Sequence, residues 1–456
     1  MACNHCNEFS RAHLLRGAAA EAGKGLPSIE PGMPVPAGTG LSRRSFMLRA
    51  GLGMMSVYGA SRLGFSDLQA GMARAQGGAA PIIVAVFMDG GTDSLSVLAP
   101  VNDSNYRSWR PDLRLNEGEG ETFGEDDRLM WHPRASALHG LHQAGKLSVM
   151  PTIGYTDPDQ SHFTSRHYWE VGELDANERT GWLGRLIDVI GVDDNPIQGL
   201  SLDGWLLPSL ASASKPVAAI DGSNYDLWAP GVWEPVDEIM FEHVQAMGQA
   251  GGASPDLGRK TAGRAADQSI ELRDTLNGFD EVAVPPAYPD DDHWFCQSMS
   301  SLAAMIDADL PIRCVSVSAP GSYDTHDNQE SSFGNDIGIT FDTLGAFQAD
   351  LEARGLADRV ITLVYSEFGR RPEQNATGTD HGAAGAAFVM GTKVQGDMIG
   401  EWQGLGPDAL DEDDNIKHTV DFRAVYCSLL EQWFDVDAAQ IIPGAASFTR
   451  PQLIAP

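Results

Sequence analysis

The chain has 456 residues, 42% of them apolar, enough for one large domain or two ordinary ones built on a real hydrophobic core. It carries 63 acidic against 31 basic side chains, only six of the latter being lysines, for a formal net charge of −32. Such a surface repels nucleic acid and anionic membranes, which removes both as expected partners; its simplest use is solubility.

Residues 1–75 read as an address rather than as fold. Arg43 and Arg44 stand ahead of Phe46 in "SRRSFM", a short Gly-rich, weakly apolar run follows, and Ala73 and Ala75 offer a small-x-small cleavage site. This is the pattern of a twin-arginine export signal, expected to be removed on the way to the periplasm or the exterior. The apolar run falls well short of the ~20 residues of a membrane-crossing helix, so no stable span is expected. With eight basic and four acidic residues in that segment, the mature chain would stand at −32 − 4 = −36. Cys3 and Cys6 in "CNHC" lie in the same segment, and no second pair follows at zinc-site spacing. Cys296, Cys314 and Cys427 remain, an odd number that excludes complete internal pairing; Cys314, in an apolar run, reads as a buried small hydrophobe.

From about residue 80 onward, apolar runs bounded by turn residues alternate with helical stretches. "PIIVAVFMDGG" is a continuous apolar run ending in Asp89 and two glycines, as expected of a parallel strand buried on both faces. "KLSVMPTIG", "IRCVSVSAPG", "RVITLVYSEFG" and "AAFVMG" repeat the design. Between the third and fourth runs, "DIGITFDTLGAFQADLEARGLADR" places Ile339, Leu344, Phe347 and Leu351 on one helical face. The expected fold class is therefore α/β, with a mainly parallel central sheet flanked by helices. Residues 190 to 300 are richer in Gly, Pro, Asp and Trp and read as an inserted cap on a domain spanning 80–456.

In such a sheet, chemistry collects where the strands end. The polar signatures stand there: Asp89 and Asp93 after the first run, "GSYDTHDNQ" after the strand near 312–318, "SEFGRR" after the strand near 359–365, and "GTDHG" soon after. Taken singly, each has a structural use: Asp89 as a helix cap, Glu367 and Arg370 as an ion pair, Asp324 as an Asx turn. Together they supply the nitrogen and oxygen donors that divalent ions such as zinc or manganese accept. His132, His139 and His142 are also spaced like a trio, but on what reads as surface loop and helix. Tyr168 and Trp169 in "SRHYWE" read as core contacts.

At these residues the chain resembles a family. "VAVFMDGGTDSLSVLAPVNDSNYRSWRPDL", "SHFTSRHYWEVGE" with "TGWLGRLID", "YDTHDNQ", "LADRVITLVYSEFGRRPEQN" and "GTDHGAAGAAFVMG", in that order, look like the domain-of-unknown-function 1501 family of exported bacterial proteins. That family belongs to the alkaline phosphatase-like superfamily, with sulfatases, nucleotide pyrophosphatases and phosphoglycerate mutases. The resemblance, over roughly residues 80 to 405, implies an alkaline phosphatase-like fold and one or two divalent ions held between strand ends. Asp89 would be the ligand after the first strand, Asp324 and His326 the middle pair, His381 the last imidazole, and Glu367 would stand where a later Asp stands. Two ions about 4 Å apart would polarise a phosphoryl or sulfuryl oxygen. Asp380 would orient His381 from behind, with Asp93 and Arg370 supporting the site or meeting substrate.

The sequence departs from this pattern at Phe368, which occupies the place of a His and leaves a second ion one ligand short. For the nucleophile, Ser161 beside His162 is the candidate, with Thr156 as an alternative; "SHF" is equally a helix N-cap by Ser161. Arg370 and Arg371 would contact a substrate anion or pair with Glu373. The implied function is an exported metal-dependent hydrolase of phosphate or sulfate esters, on a small-molecule or polymer substrate. The competing expectation is a non-catalytic secreted protein that keeps the fold and uses its 190–300 insertion on a protein partner.

Overall fold

A computed structural model of the chain describes residues 80–192, 195–222, 235–279 and 281–456, with the backbone of one further strand, Met55–Tyr58. Arg43, Arg44, Ala73 and Ala75, which carry the export reading, lie outside the described residues. Among the described residues no helix is long and apolar enough to cross a membrane.

Along the chain the strands are β1 (Met55–Tyr58), β2 (Ile82–Phe87), β3 (Leu98–Ala99), β4 (Met130–Trp131), β5 (Leu147–Gly154), β6 (Gly199–Ser201), β7 (Val217–Ile220), β8 (Cys314–Ser318), β9 (Val360–Tyr365), β10 (Arg370–Gln374), β11 (Thr379–His381), β12 (Gly385–Met390) and β13 (Val420–Asp421). Nine of them make one sheet in the order β1-β7-β6-β8-β2-β9-β12-β5-β13. The run β7-β6-β8-β2-β9 is parallel throughout. This is the α/β architecture expected from the sequence, with helices against both faces. Its centre explains the unbroken apolar run of β2: Ile82, Val84 and Val86 enter one core, and Ile83, Ala85 and Phe87 enter the other.

Two expectations are corrected. "AAFVMG", now β12, does not continue the parallel set; it runs antiparallel to both β9 and β5. The chain passes from β9 to β12 through the short hairpin β10–β11, and without a crossover helix it re-enters the sheet from the end it left. The stretch 190–300 is not wholly an insertion either, because β6 and β7 are strands of the central sheet. Strands of three and four residues are too short to show a period. What does leave the sheet is a pair of helices, Val236–Gly252 and Leu257–Leu276, packed on each other.

The helix read from residue 336 begins already at Gln329 and runs to Ala353, burying Ile337, Phe341, Leu344, Phe347 and Leu351 along one side. It returns the chain to β9, so the carboxyl ends of β2, β8 and β9 lie side by side. Asp89, the Tyr323–His326 loop and Glu367 all follow those ends.

Candidate metal centre

The loop after β8 is clamped from two sides. Gly90, at φ +120°, comes so close that a Cβ there would stand 2.3 Å from the Asp324 backbone nitrogen. On the other side a Cβ at Gly378 would stand 2.1 Å from the Thr325 carbonyl oxygen. Only glycine permits both approaches. These account for the glycines of "DGG" and "GTDHG": they let three chain segments meet at Asp324. In the β10–β11 hairpin Arg370 and His381 are register partners, and both reach the same carboxylate.

Arg370 Nη2 donates to Asp324 Oδ1 at 2.7 Å. The same guanidinium is fully buried and donates to the carbonyls of Gly91 at 2.8 Å, Thr379 at 2.9 Å and Tyr323 at 3.0 Å, and to that of Gly90. Arg370 therefore fixes Asp324 from within and does not meet a substrate.

Around Asp324 Oδ1 stand three imidazole nitrogens: His326 Nε2 at 3.1 Å, His381 Nε2 at 3.2 Å and His162 Nε2 at 3.4 Å. The protons of these rings are assigned by what lies behind each. His381 Nδ1 faces the Gln160 carbonyl at 2.8 Å and must donate to it. His326 Nδ1 faces Asp380 Oδ1 at 3.1 Å, and His162 Nδ1 faces Glu367 Oε1 at 2.7 Å. Each ring thus spends its proton outward and, when neutral, turns an Nε2 lone pair inward. The two inward nitrogens of His326 and His381 are only 2.9 Å apart, and among the described residues buried His162 Nε2 has no hydrogen-bond partner. His162 Nε2, His381 Nε2 and Asp324 Oδ1 lie close enough together to share an ion, with His326 Nε2 beside them, and with no proton between the neutral rings they fit a cation.

The electrostatics agree. Burial disfavours the Asp324 anion, yet the His162, His326 and His381 rings and the Arg370 charge hold its carboxyl far below the usual carboxylate range. Burial also disfavours the charged form of His162, but the neighbouring Asp324 and Glu367 carboxylates outweigh it and push the ring up to about 9. Burial pushes His381 down, which keeps its ring neutral.

The remaining expected residues take other places. Glu367 is fully buried behind His162, accepting also from the Gly90 N–H at 3.0 Å and the Ser366 hydroxyl at 2.9 Å. Asp89 turns to Arg166, 3.1 Å away, and burial raises its carboxyl against that pull. Asp93, 0% exposed, is bound by Arg110 through Nη1 at 2.6 Å and Nη2 at 3.0 Å, a support beneath the site and not a substrate contact. Asp380 backs His326 rather than its neighbour His381. Ser161 holds the N-cap position of the helix His162–Val171, but its hydroxyl caps nothing and has no hydrogen-bond partner among the described residues. It stands between Gln160, which touches His381, and His162. Phe368 packs against His162 and His381, its ring centroid 4.9 Å from each.

His132, His139 and His142 form no trio: His142 pairs with Glu125 at 2.9 Å and packs on Phe123. Tyr168 and Trp169 pack as expected against Tyr155 and Tyr365. Among the described residues the group of three or more donors close enough for an ion is His162, Asp324 and His381. His162 was read from sequence as a catalytic neighbour of Ser161, and its place among the inward nitrogens was not foreseen. The same helix brings Arg166 one turn later, a residue the sequence reading passed over although the i, i+4 spacing in "HFTSR" places it on the same face. Two surface recesses, one around Arg128 and Trp402 and one around Pro289 and Asp342, share no residue with this centre.

Residues 240–444, just under half of the chain, match the family model described as "Protein of unknown function (DUF1501)". No curated protein matches the sequence. Among solved structures the chain is similar to a protein of the alkaline phosphatase superfamily from Vibrio parahaemolyticus, at 11% identity and a TM-score of 0.36 over 90% of this chain and 79% of that one. It is also similar to a sulfatase from Pseudoalteromonas sp., at 12% identity and a TM-score of 0.33, covering 81% of this chain and 70% of that one. A third is the phosphonate monoester hydrolase of Agrobacterium radiobacter, at 10% identity and a TM-score of 0.34, covering 80% and 77%.

Proposed function

We propose that this chain is an exported, metal-dependent hydrolase of phosphate or sulfate esters, leaving the cell by the twin-arginine route and holding zinc or manganese. The observation that carries the reading is the set of His162 Nε2, His381 Nε2 and Asp324 Oδ1, close enough to hold one ion, with buried His162 Nε2 lacking a hydrogen-bond partner among the described residues. When bound there, a divalent ion would supply Lewis acidity toward an ester oxygen. The chain's own groups do the rest. Glu367, Asp380 and the Gln160 carbonyl hold the three rings in one tautomer, and Arg370 fixes Asp324.

Ser161, with its hydroxyl uncommitted, is the candidate nucleophile. Attack of its Oγ on phosphorus or sulfur breaks the bond to the ester oxygen; the serine proton passes to the departing alkoxide and an alcohol leaves. Water then releases phosphate or sulfate from Ser161 and restores the hydroxyl.

A panel of phosphate and sulfate esters, assayed with the metal-loaded chain and with His381→Ala, tests this. Ester cleavage that disappears in His381→Ala together with bound metal is expected. A well-folded chain that takes no metal and cleaves no ester sinks it. That outcome would favour the second reading, a secreted partner-binding protein, for which the observation is a set of exposed apolar side chains, Val236, Ile239, Met247 and Leu257, on the two outlying helices.

A further inference from the structure

Part of the segment read as a removable leader enters the fold. Met55–Tyr58, the strand β1, lies within residues 1–75, yet it is the outermost strand of the central sheet on its side. It runs antiparallel to β7 in unbroken register, with Met55 opposite Ile220, Ser56 opposite Ala219, Val57 opposite Ala218 and Tyr58 opposite Val217. On its other side β7 is parallel to β6, so β1 is an antiparallel edge strand laid on a parallel run. The outlying helix Leu257–Leu276 packs against β1 as well, so the strand is bounded by β7 and by that helix.

β7 is poorly made for a permanent edge. Lys215 and Pro216 stand just before it, but Val217, Ala218, Ala219 and Ile220 are all apolar and buried, with neither a charge nor a proline among them. Alternate residues of such a strand turn their N–H and C=O groups outward, and pairing with β1 is what satisfies them. The occupant suits the place: "MSVY" is uncharged, free of proline, and carries a Val and a Tyr. We propose that the β7 edge is a docking site whose occupant before processing is Met55–Tyr58 of the same chain, and that removal of residues 1–75 takes this strand away and opens the edge. The sheet then keeps 9 − 1 = 8 strands. Until that point the leader's own strand masks an edge that would otherwise pair with another chain.

The proposal rests on the export reading, and its tests keep the two apart. In the full chain, Val57→Cys with Ala218→Cys and Tyr58→Cys with Val217→Cys are successive register pairs. Successive pairs alternate between close and wide spacing, so at least one should give a disulfide-linked peptide, read by mass spectrometry after mild oxidation. Met55→Cys with Val217→Cys, 220 − 217 = 3 positions out of register, should give none. A second arm leaves the sheet unaltered: a protease site at the Ala75–Gln76 junction lets the folded chain be cut and parted from its leader by gel filtration. Amide hydrogen exchange over Val217–Ile220 should then quicken by about 10-fold or more against the uncut chain, while β2 stays as it was. Unchanged exchange in the parted chain, or linkage no better in register than out of it, overturns the proposal. A leader that stays on the cut chain through filtration overturns the opening of the edge. A chain that links in register but is never shortened to residue 76 in an exporting cell overturns the processing step together with the export reading, and leaves the β1–β7 pairing standing.

Discussion

Replacing Glu367 by glutamine separates the group that holds an ion from the group that holds its ligand. The shapes match, so the change is electrical. Glu367 Oε1 receives His162 Nδ1–H at 2.7 Å and the Gly90 N–H at 3.0 Å, while Oε2 receives the Ser366 hydroxyl at 2.9 Å. A glutamine oxygen can serve the first two. Its NH2 then faces Ser366, whose proton has another acceptor in the Met88 carbonyl at 2.7 Å. The fold therefore loses one charge-assisted bond and gains a neutral one, a cost of about 1 kcal/mol. The centre loses the negative charge behind His162. Outer partners of metal-binding histidines contribute roughly 10- to 100-fold in affinity, which is about 1.4 to 2.8 kcal/mol. Zinc affinity, read by competition with a chromophoric chelator, should fall by that amount. The titration belongs above the value of about 9 to which His162 is pushed, where its proton no longer competes. A loss beyond about 1,000-fold would mean that Glu367 grips the ion itself. Unchanged affinity with an unchanged melting curve would refute His162 as a ligand.

Three further outcomes can be measured. Asp93→Asn breaks a fully buried, doubly bonded pair with Arg110 and should destabilise by about 3 to 5 kcal/mol in a denaturant titration. Burial opposes the Asp93 charge but Arg110 holds its carboxyl below the ordinary value. Since the folded value is the lower one, the pair's contribution is complete above the unfolded value of roughly 3.9 and is lost as pH falls through the folded one, so variant and parent should converge only in strong acid. Gly90→Ala sets a Cβ 2.3 Å from the Asp324 nitrogen at a φ of +120°, and should lower both the melting temperature and zinc binding. Chelation of a bound ion should lower stability by about 2.7 kcal/mol relative to protein held at 100 times the dissociation constant, an effect that vanishes in His381→Ala.

The sequence shows the centre better than the fold's margins. β2, β8 and β9 are buried on both faces, so their unbroken apolar runs are direct signs of parallel strands, and the residues following them carry the polar chemistry. Asp324, His326 and His381 follow from that placement and from the family resemblance. The orientation of β12 does not, because hydrophobicity reports burial and is silent on direction. The short strands β6 and β7 leave no period to read. The inward turn of His162 depends on Glu367, 205 positions away, the buried place of Arg370 on a Gly91 carbonyl 279 positions away, and that of Asp93 on a guanidinium 17 positions on, beyond a short helix. Charged residues at strand ends look alike in sequence whether they face solvent or the interior.

The groups of the candidate metal centre come from a helix start at 162, a loop at 324–326 and a hairpin strand ending at 381, with Glu367 and Arg370 behind them. During synthesis the first of these must wait for more than two hundred further residues before it meets its companions. On the proposed metal reading, ion capture would be a closing event of folding, because its donors lie as far apart in the chain as 162 and 381. A nascent fragment ending short of the β10–β11 hairpin lacks His381, so on that reading metal retention on a column would report chains whose topology is finished.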